Sequence, residues 1–279
     1  MMNIEAYMAN FKEEYQARIT PTTINGIQLA TKQLLVYCQK SVSDIQTSDA
    51  RNWLTHLQNS GYAQSSVATK LASIKTFFRY CLEEDIISRN PLVSIVAKRE
   101  KYQTPKYLKM DQLEQLRKVS SIQCKQRAIV EVLYATGVRI SELCAMKLED
   151  IQWSRNLIHI PKGKGEKARM VVFTRACEEY LKAYLQERTD DLPFLFLDNF
   201  QKGPIRKHVI HHYFAKYREE LGFHVTPHTL RHTFAAHLAI RGMRLMSLQV
   251  LLGHEEPSHT QVYTQLYQQA QKDKYDEWM

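Results

Sequence analysis

The sequence predicts a mainly α-helical protein with one small antiparallel β-sheet, built in two parts. Apolar residues recur at helical spacing through most of the chain, and only the stretch over residues 157–173 alternates as paired strands do. A basic, proline-bearing segment interrupts the pattern after residue 97. With 279 residues, 44% of them hydrophobic and only 9 Gly and 8 Pro, the chain can bury real cores and is not disordered, collagen-like or of low complexity.

In the first part, Met1 to Arg18 reads as a helix, Ile27, Ala30, Leu34 and Tyr37 mark a second, and Trp53, Leu54 and Leu57 a third that closes at Gly61. Val67, Leu71, Ile74, Phe77, Phe78, Cys81 and Leu82 form the apolar stripe of a fourth, expected to end before Asn90-Pro91. Lys70, Lys75 and Arg79 avoid that stripe, which leaves them a solvated face or a row able to reach phosphates. Lys98, Arg99, Lys101, Lys106 and Lys109, with Glu100 as the only acid, read as an extended basic linker that contains Pro105.

The second part opens with Asp111 as an N-cap and Glu114 three residues on. A helix through Ile129, Val132 and Leu133 ends at Gly137, and Ser141 is expected to cap a further turn carrying Leu143 and Met146, with Arg139 between the two. Leu157 to Ile160 and Arg169 to Phe173 read as strands joined by Gly163-Lys164-Gly165-Glu166-Lys167. Ser247 begins an apolar turn closing at Gly253-His254, and Ser258 with Gln261 suggests a capping box for a helix holding Tyr263.

Composition narrows the function. No apolar run approaches the roughly 20 residues that cross a bilayer, and the N-terminus lacks a basic segment followed by an apolar one, so a cytoplasmic protein without membrane contact is expected. The five cysteines include no CxxC pair, which points to reduced, mostly buried thiols. A net charge of +9 permits a polyanionic partner without proving one.

The most informative stretch is Thr226-Pro227-His228-Thr229-Leu230-Arg231-His232. Thr is a good N-cap and Pro suits the first helical position, so His228 falls in the first turn and Arg231 follows on its face, an arrangement suited to an anion. His228 and His232 at i and i+4 raise a metal pair as the rival reading, with no third ligand evident from spacing. Alone, each candidate has a plainer role: Arg139 can cap a helix end, Lys164 can be a turn residue, and His254 can satisfy a carbonyl.

The ordered set of Arg139 in Thr136-Gly137-Val138-Arg139-Ile140-Ser141-Glu142-Leu143, Lys164 in the hairpin, His228 and Arg231, His254 after Leu251-Leu252-Gly253, and Tyr263 nine residues later resembles the tyrosine recombinase (phage integrase) family, in particular its Xer-like members. The resemblance implies a helical, SAM-like core-binding domain over residues 1–97, the linker over 98–106, and an α+β catalytic domain over 107–279. It implies that Arg139 and Arg231 clamp a scissile phosphate, Tyr263 attacks it, His228 and His254 assist proton transfer and hydrogen bonding, and Lys164 protonates the departing 5′ oxygen, with Glu142 supporting the site.

Site-specific cleavage and rejoining of double-stranded DNA through a 3′-phosphotyrosyl ester is therefore expected, with no metal, cofactor or ATP, on four like or mixed protomers spanning two DNA sites. Lys70, Lys75, Arg79, Lys98, Arg99, Lys101, Lys162 and Lys167 are the expected DNA contacts. DNA relaxation of the type IB topoisomerase kind, and a non-catalytic DNA-binding protein on the same scaffold, are the alternatives. The C-terminal segment from Tyr263 to Trp278 is expected either to pack on its own domain or to dock in a neighbour.

Overall fold

The structure is a computed structural model that describes residues 4–96, 105–161, 168–198, 200, 202–254 and 256–279. Lys98, Arg99, Lys101, Lys162, Lys164 and Lys167 therefore lie outside the described residues. The chain divides into two compact units, Met1–Lys101 and Tyr102–Met279.

The first unit is a bundle of four helices: α1 (Ile4–Tyr15), α2 (Pro21–Cys38), α3 (Thr47–Asn59) and α4 (Gln64–Glu83). Thr20 caps α2 by accepting the Thr23 N–H at 3.3 Å, with Pro21 at the first helical position. The core is aromatic. Phe11 stacks on Tyr15 at 4.5 Å and meets Phe77 and Tyr80 edge-on at 5.6 and 5.3 Å. Every residue of the expected α4 stripe is buried except Leu82, which is exposed.

The helix α4 ends at Glu83 rather than at the proline, because Asp85 turns left-handed at φ 54° and Ile86 N–H then bonds back to Cys81 O. Of the three basic residues on α4, Lys70 donates to Gln33 Oε1, Lys75 reaches Val93 O at 3.5 Å, and Arg79 lies 3.9 Å from Glu83.

The second unit follows the order α5 (Met110–Ser120), α6 (Cys124–Thr136), α7 (Ile140–Ala145), β1 (Ile151–Gln152), β2 (Leu157–Ile160), β3 (Arg169–Val172), α8 (Arg175–Gln186), α9 (Lys207–Leu221), α10 (Pro227–Ile240), α11 (Leu245–Leu252) and α12 (Thr264–Trp278). The sheet is antiparallel in the order β1-β2-β3, with Ile158 opposite both Ile151 and Val171. Its first strand was not expected, since two residues are too few to show a period.

Helix α6 crosses the core and carries a buried Glu131 held by Arg117 and Arg127, each at 2.8 Å. Helix α12 lies against α10 of its own chain through Leu266, Tyr267 and Ala270. Cys81 and Cys177 are buried, and burial pushes the Cys81 thiol up to about 12.

Three helix starts differ from the sequence reading. Gln112 Oε1 accepts the Lys109 N–H at 3.0 Å, so α5 begins at Met110 and Asp111 lies inside it. The Glu142 carboxylate accepts the Arg139 N–H at 2.7 Å, which makes Arg139 the N-cap of α7 and leaves Ser141 in its first turn. Arg244 precedes α11, and Ser247 is within it.

Candidate active site

The site is assembled from helix ends. Gly137 closes α6 in the left-handed conformation at φ 61°, and a Cβ there would meet Phe234 at 2.3 Å, so glycine is required both for the turn and for the approach of α10. Gly253 closes α11 likewise at φ 65°, with Arg169 2.9 Å from where its Cβ would sit. These two ends leave carbonyls that no helical N–H can satisfy and that carry the negative end of each helix dipole.

Three arginines answer them. Arg231, buried in α10, donates through Nη1 to Gly137 O at 2.6 Å and through Nη2 to Leu252 O at 2.7 Å. Arg169 donates through Nε to Leu251 O at 2.9 Å, and Arg139 through Nη2 to Gly253 O at 3.4 Å. The last three carbonyls before His254 are thus each held by a different arginine from a different element. Glu142 binds two of these cations, taking Arg169 Nη1 and Nη2 at 2.7 and 2.8 Å and Arg139 Nη1 at 3.2 Å. Burial raises the Glu142 carboxyl, and the hydrogen bonds from Arg169 and Arg139 outweigh it, so its pKa lies below the ordinary value.

Thr226 caps α10 by accepting the Thr229 N–H at 3.0 Å, which presents His228 from the first turn as the sequence indicated. His254 Nδ1 pairs with Thr260 Oγ1 at 2.9 Å. Tyr263 ends a 3-10 turn, Gln261–Tyr263, directly ahead of α12, and is not held within the helix expected to start at Ser258. Its ring is 2% exposed, and its hydroxyl lies 2.6 Å from His232 Nδ1.

Arg139, His228, Arg231, His232, His254 and Tyr263 all line one cavity of about 1130 Å³. Arg139 and Arg231 both line the cavity, and its titrating groups respond to burial first and to these cations second. Burial, with Arg139 beside it, pulls Arg231 down to about 10, so it stays charged at neutral pH. Burial and then Arg231 and Arg139 hold His254 at about 3, and the same three causes lower His228. His232 falls to about 4 through burial, His228 and Arg231. Burial raises the Tyr263 phenol, against the opposing pull of Arg231. A chamber of fixed guanidinium donors with neutral imidazoles and a phenol is suited to hold an anion and transfer it to the phenol oxygen.

Of the expected site residues, the structure brings together Arg139, Glu142, His228, Arg231, His254 and Tyr263. Lys164 is outside the described residues. Two residues were missed by sequence reasoning. Arg169 carried a usable signal: Val171 on β3 and Phe173 just beyond it are buried at alternate positions, which places Arg169 inward too, and an inward-facing arginine needs a partner. His232 entered only as half of a metal pair; its Nδ1 is paired with Tyr263, and among the described residues no group of three His, Cys, Asp or Glu side chains is placed to hold a metal ion.

The comparisons agree with this geometry. Residues 106–270 match the phage integrase family, and residues 7–88 match the phage integrase N-terminal SAM-like domain. The tyrosine recombinase XerC of Bacillus licheniformis is 30% identical over 99% of this chain and 96% of its own length. The tyrosine recombinase XerA of Pyrococcus furiosus is 32% identical over 87% of this chain and 84% of its own. Among solved structures, the XerA recombinase crystal structure covers 98% of both chains at 27% identity with a TM-score of 0.56. The Tn1549 transposon integrase in complex with transposon right end DNA covers 99% of this chain and all of its own at 20% identity and a TM-score of 0.79, a likeness of fold.

The chain belongs to the phage integrase family. Within it this is a Xer-like tyrosine recombinase, a site-specific DNA strand transferase, and DNA relaxation is not the favoured activity. Among the described residues no helix is long and apolar enough to cross a membrane.

Proposed function

We propose that the cavity binds the scissile phosphate of double-stranded DNA between Arg139 and Arg231, and that Tyr263 is the nucleophile. What supports the reading is the convergence of Arg139, His228, Arg231, His254 and Tyr263 on one cavity from residues up to 124 positions apart in sequence. The phosphodiester repels nucleophiles, and its equatorial oxygens gain charge in the pentacoordinate transition state, so guanidinium groups already held in place bind that state better than the ground state. The Tyr263 oxygen forms a bond to phosphorus and passes its proton to the neutral imidazole of His228, the bond to the 5′ oxygen breaks, and Lys164 supplies a proton to that oxygen. The product is a 3′-phosphotyrosyl ester, and attack by another 5′ hydroxyl reverses the step with no energy source.

A free phenol is only about one part in a thousand ionised at pH 7, and burial makes Tyr263 harder to ionise still, so the cations must stabilise the developing oxyanion. His228 and His254 contribute hydrogen bonds to the phosphate, and Glu142 and Arg169 hold Arg139 in place. Residues 1–97 serve as the core-binding domain, 98–106 as a basic linker, and 107–279 as the catalytic domain; Lys70, Lys75, Arg79, Lys98, Arg99, Lys101, Lys162 and Lys167 contact DNA phosphates. Four protomers on two duplexes, all of this chain or mixed with a second recombinase, exchange strands in the cytoplasm.

The test is a nicked duplex on which the broken strand diffuses away and traps the adduct. The Tyr263→Phe variant retains DNA binding and forms no covalent complex, and the parent's adduct carries the phosphate on the 3′ side. Undiminished adducts in the variant, or attachment through a 5′ phosphate, would overturn the assignment.

A further inference from the structure

The hydroxyl of Tyr263 is already spoken for in this chamber. His232 Nδ1 lies 2.6 Å from it, with the two rings 6.1 Å apart and tilted by 51°. His232 follows Arg231 on α10, so the helix that carries the proposed phosphate clamp also carries the partner of the proposed nucleophile. The groups facing His232 are His228, whose ring lies 4.3 Å away edge-on, Arg231 on the same helix, and Tyr263 from the 3-10 turn. Burial first, then His228 and Arg231, keeps the imidazole neutral at physiological pH. In the tautomer that carries its proton on Nε2, a neutral ring accepts from the hydroxyl through Nδ1.

We propose that His232 is a positioning residue for strand cleavage, accepting the Tyr263 O–H through Nδ1 and so keeping the phenol oxygen aimed into the cavity that Arg139, Arg231 and His254 line. The proposal rests on the reading of Tyr263 as the nucleophile. It gives His232 a role separate from metal binding, because the nitrogen facing Tyr263 is occupied by the phenol. It also separates His232 from a general base. Burial pushes the phenol up and the imidazole down, so proton transfer from Tyr263 to His232 is strongly disfavoured, and the hydrogen bond orients the phenol while its proton leaves by another route. A ring that is 2% exposed with no acceptor for its hydroxyl would turn that group toward another partner, away from the phosphate.

The experiment compares His232→Leu and His232→Asn with the parent on the nicked duplex, measuring single-turnover adduct formation and, separately, DNA affinity. The leucine variant is expected to form the adduct about 10- to 100-fold more slowly, the worth of one buried hydrogen bond, with affinity within about twofold. Asparagine places an amide oxygen where Nδ1 stands and does not titrate, so it is expected to recover the parent rate to within about threefold. A leucine variant as fast as the parent, or an asparagine variant as slow as leucine with DNA binding intact, overturns the proposal; the second result is what a general base would give.

Should the leucine variant fail to fold, nitrogen NMR of the parent without DNA decides. His232 is expected as the neutral Nε2–H tautomer from pH 6 to 8, with an Nδ1 resonance that moves in Tyr263→Phe. An imidazolium or an Nδ1–H tautomer, or no response to that substitution, refutes it. Adducts that persist in Tyr263→Phe would instead remove the nucleophile and leave the NMR signature intact, so the two failures are distinct.

Discussion

The two units are built from opposite materials. Among the described residues, the only buried polar side chain in Met1–Lys101 is Thr31, whereas Tyr102–Met279 buries Arg127, Glu131, Arg169, Arg231 and His237 together with several threonines and Ser120. The first unit is held by apolar burial around Phe11, Phe77 and Trp53, a cheap and forgiving way to stabilise four helices. The second holds arginines inside a fold, which is stable only where each has a carboxylate or carbonyl partner. The contrast teaches where geometry is being fixed: Glu142, Arg169 and the carbonyls ending α11 cost desolvation, and in return they set the positions of Arg139, Arg231 and His254.

The sharpest break of this comparison is Arg169→Leu. It leaves the Glu142 carboxylate, 9% exposed, with Arg139 as its remaining guanidinium partner, and is expected to destabilise the second unit by about 3–5 kcal/mol. Pairing it with Glu142→Leu removes the stranded charge and recovers most of that stability, while DNA cleavage stays impaired because Arg139 has lost its carboxylate partner. Phe77→Ala costs the first unit a similar amount, about 3–5 kcal/mol, with no apolar replacement that leaves cleavage impaired. Hydrogen exchange resolved by unit checks all three. A double variant no more stable than Arg169→Leu would mean that the carboxylate is not what the arginine serves.

Acid sharpens the same contrast with a smaller, graded effect. His232 at about 4 and His254 at about 3 bind protons less readily than in the unfolded chain, where histidine titrates near 6.5. Between those values the unfolded chain holds more protons than the native one, so stability rises with pH and is lost as pH falls from about 6.5 toward 3. In residues 1–101 the lowered carboxyl is Asp49, which gives up its contribution only as pH falls below the ordinary carboxylate value of 3.8. Amides of the second unit are therefore expected to lose protection between pH 6.5 and 4 while those of the first do not. Parallel loss in both units would refute the assignment.

The same division decides what could be read from sequence. Signals confined to a few neighbouring residues survived: Thr226-Pro227 as a helix start, Gly137 and Gly253 as helix ends, and the pairing of residues 157–160 with 169–172. Each depends on backbone geometry within one turn or one hairpin. The pairings that build the site are long-range, Arg169 with Glu142 across 27 residues and His232 with Tyr263 across 31, and residue type at either end does not specify the partner. The Tyr263 turn was misread for a local reason. Ser258 and Gln261 have the spacing of a capping box, yet Ser258 Oγ bonds to Glu256, and the chain folds into two successive 3-10 turns before α12 begins.

The smallest expected effect is also the most direct comparison, because both units use one device. Thr20-Pro21 starts α2 and Thr226-Pro227 starts α10, each with the threonine hydroxyl accepting an N–H three residues on, at 3.3 and 3.0 Å. Replacing either threonine by alanine removes one capping bond, and each variant is expected to lose about 1 kcal/mol of stability in its own unit. The functional consequences should differ. The first turn of α2 carries Thr22 and Thr23 on an exposed surface, and neither lines the cavity. The first turn of α10 carries His228, which lines the cavity, and Arg231 follows on the same face. Thr226→Ala is therefore expected to slow adduct formation several-fold under conditions where both variants are fully folded, and Thr20→Ala to leave it unchanged. Equal slowing would mean that cap loss acts through global stability alone, and no slowing in either would mean that the site does not depend on the order of that first turn.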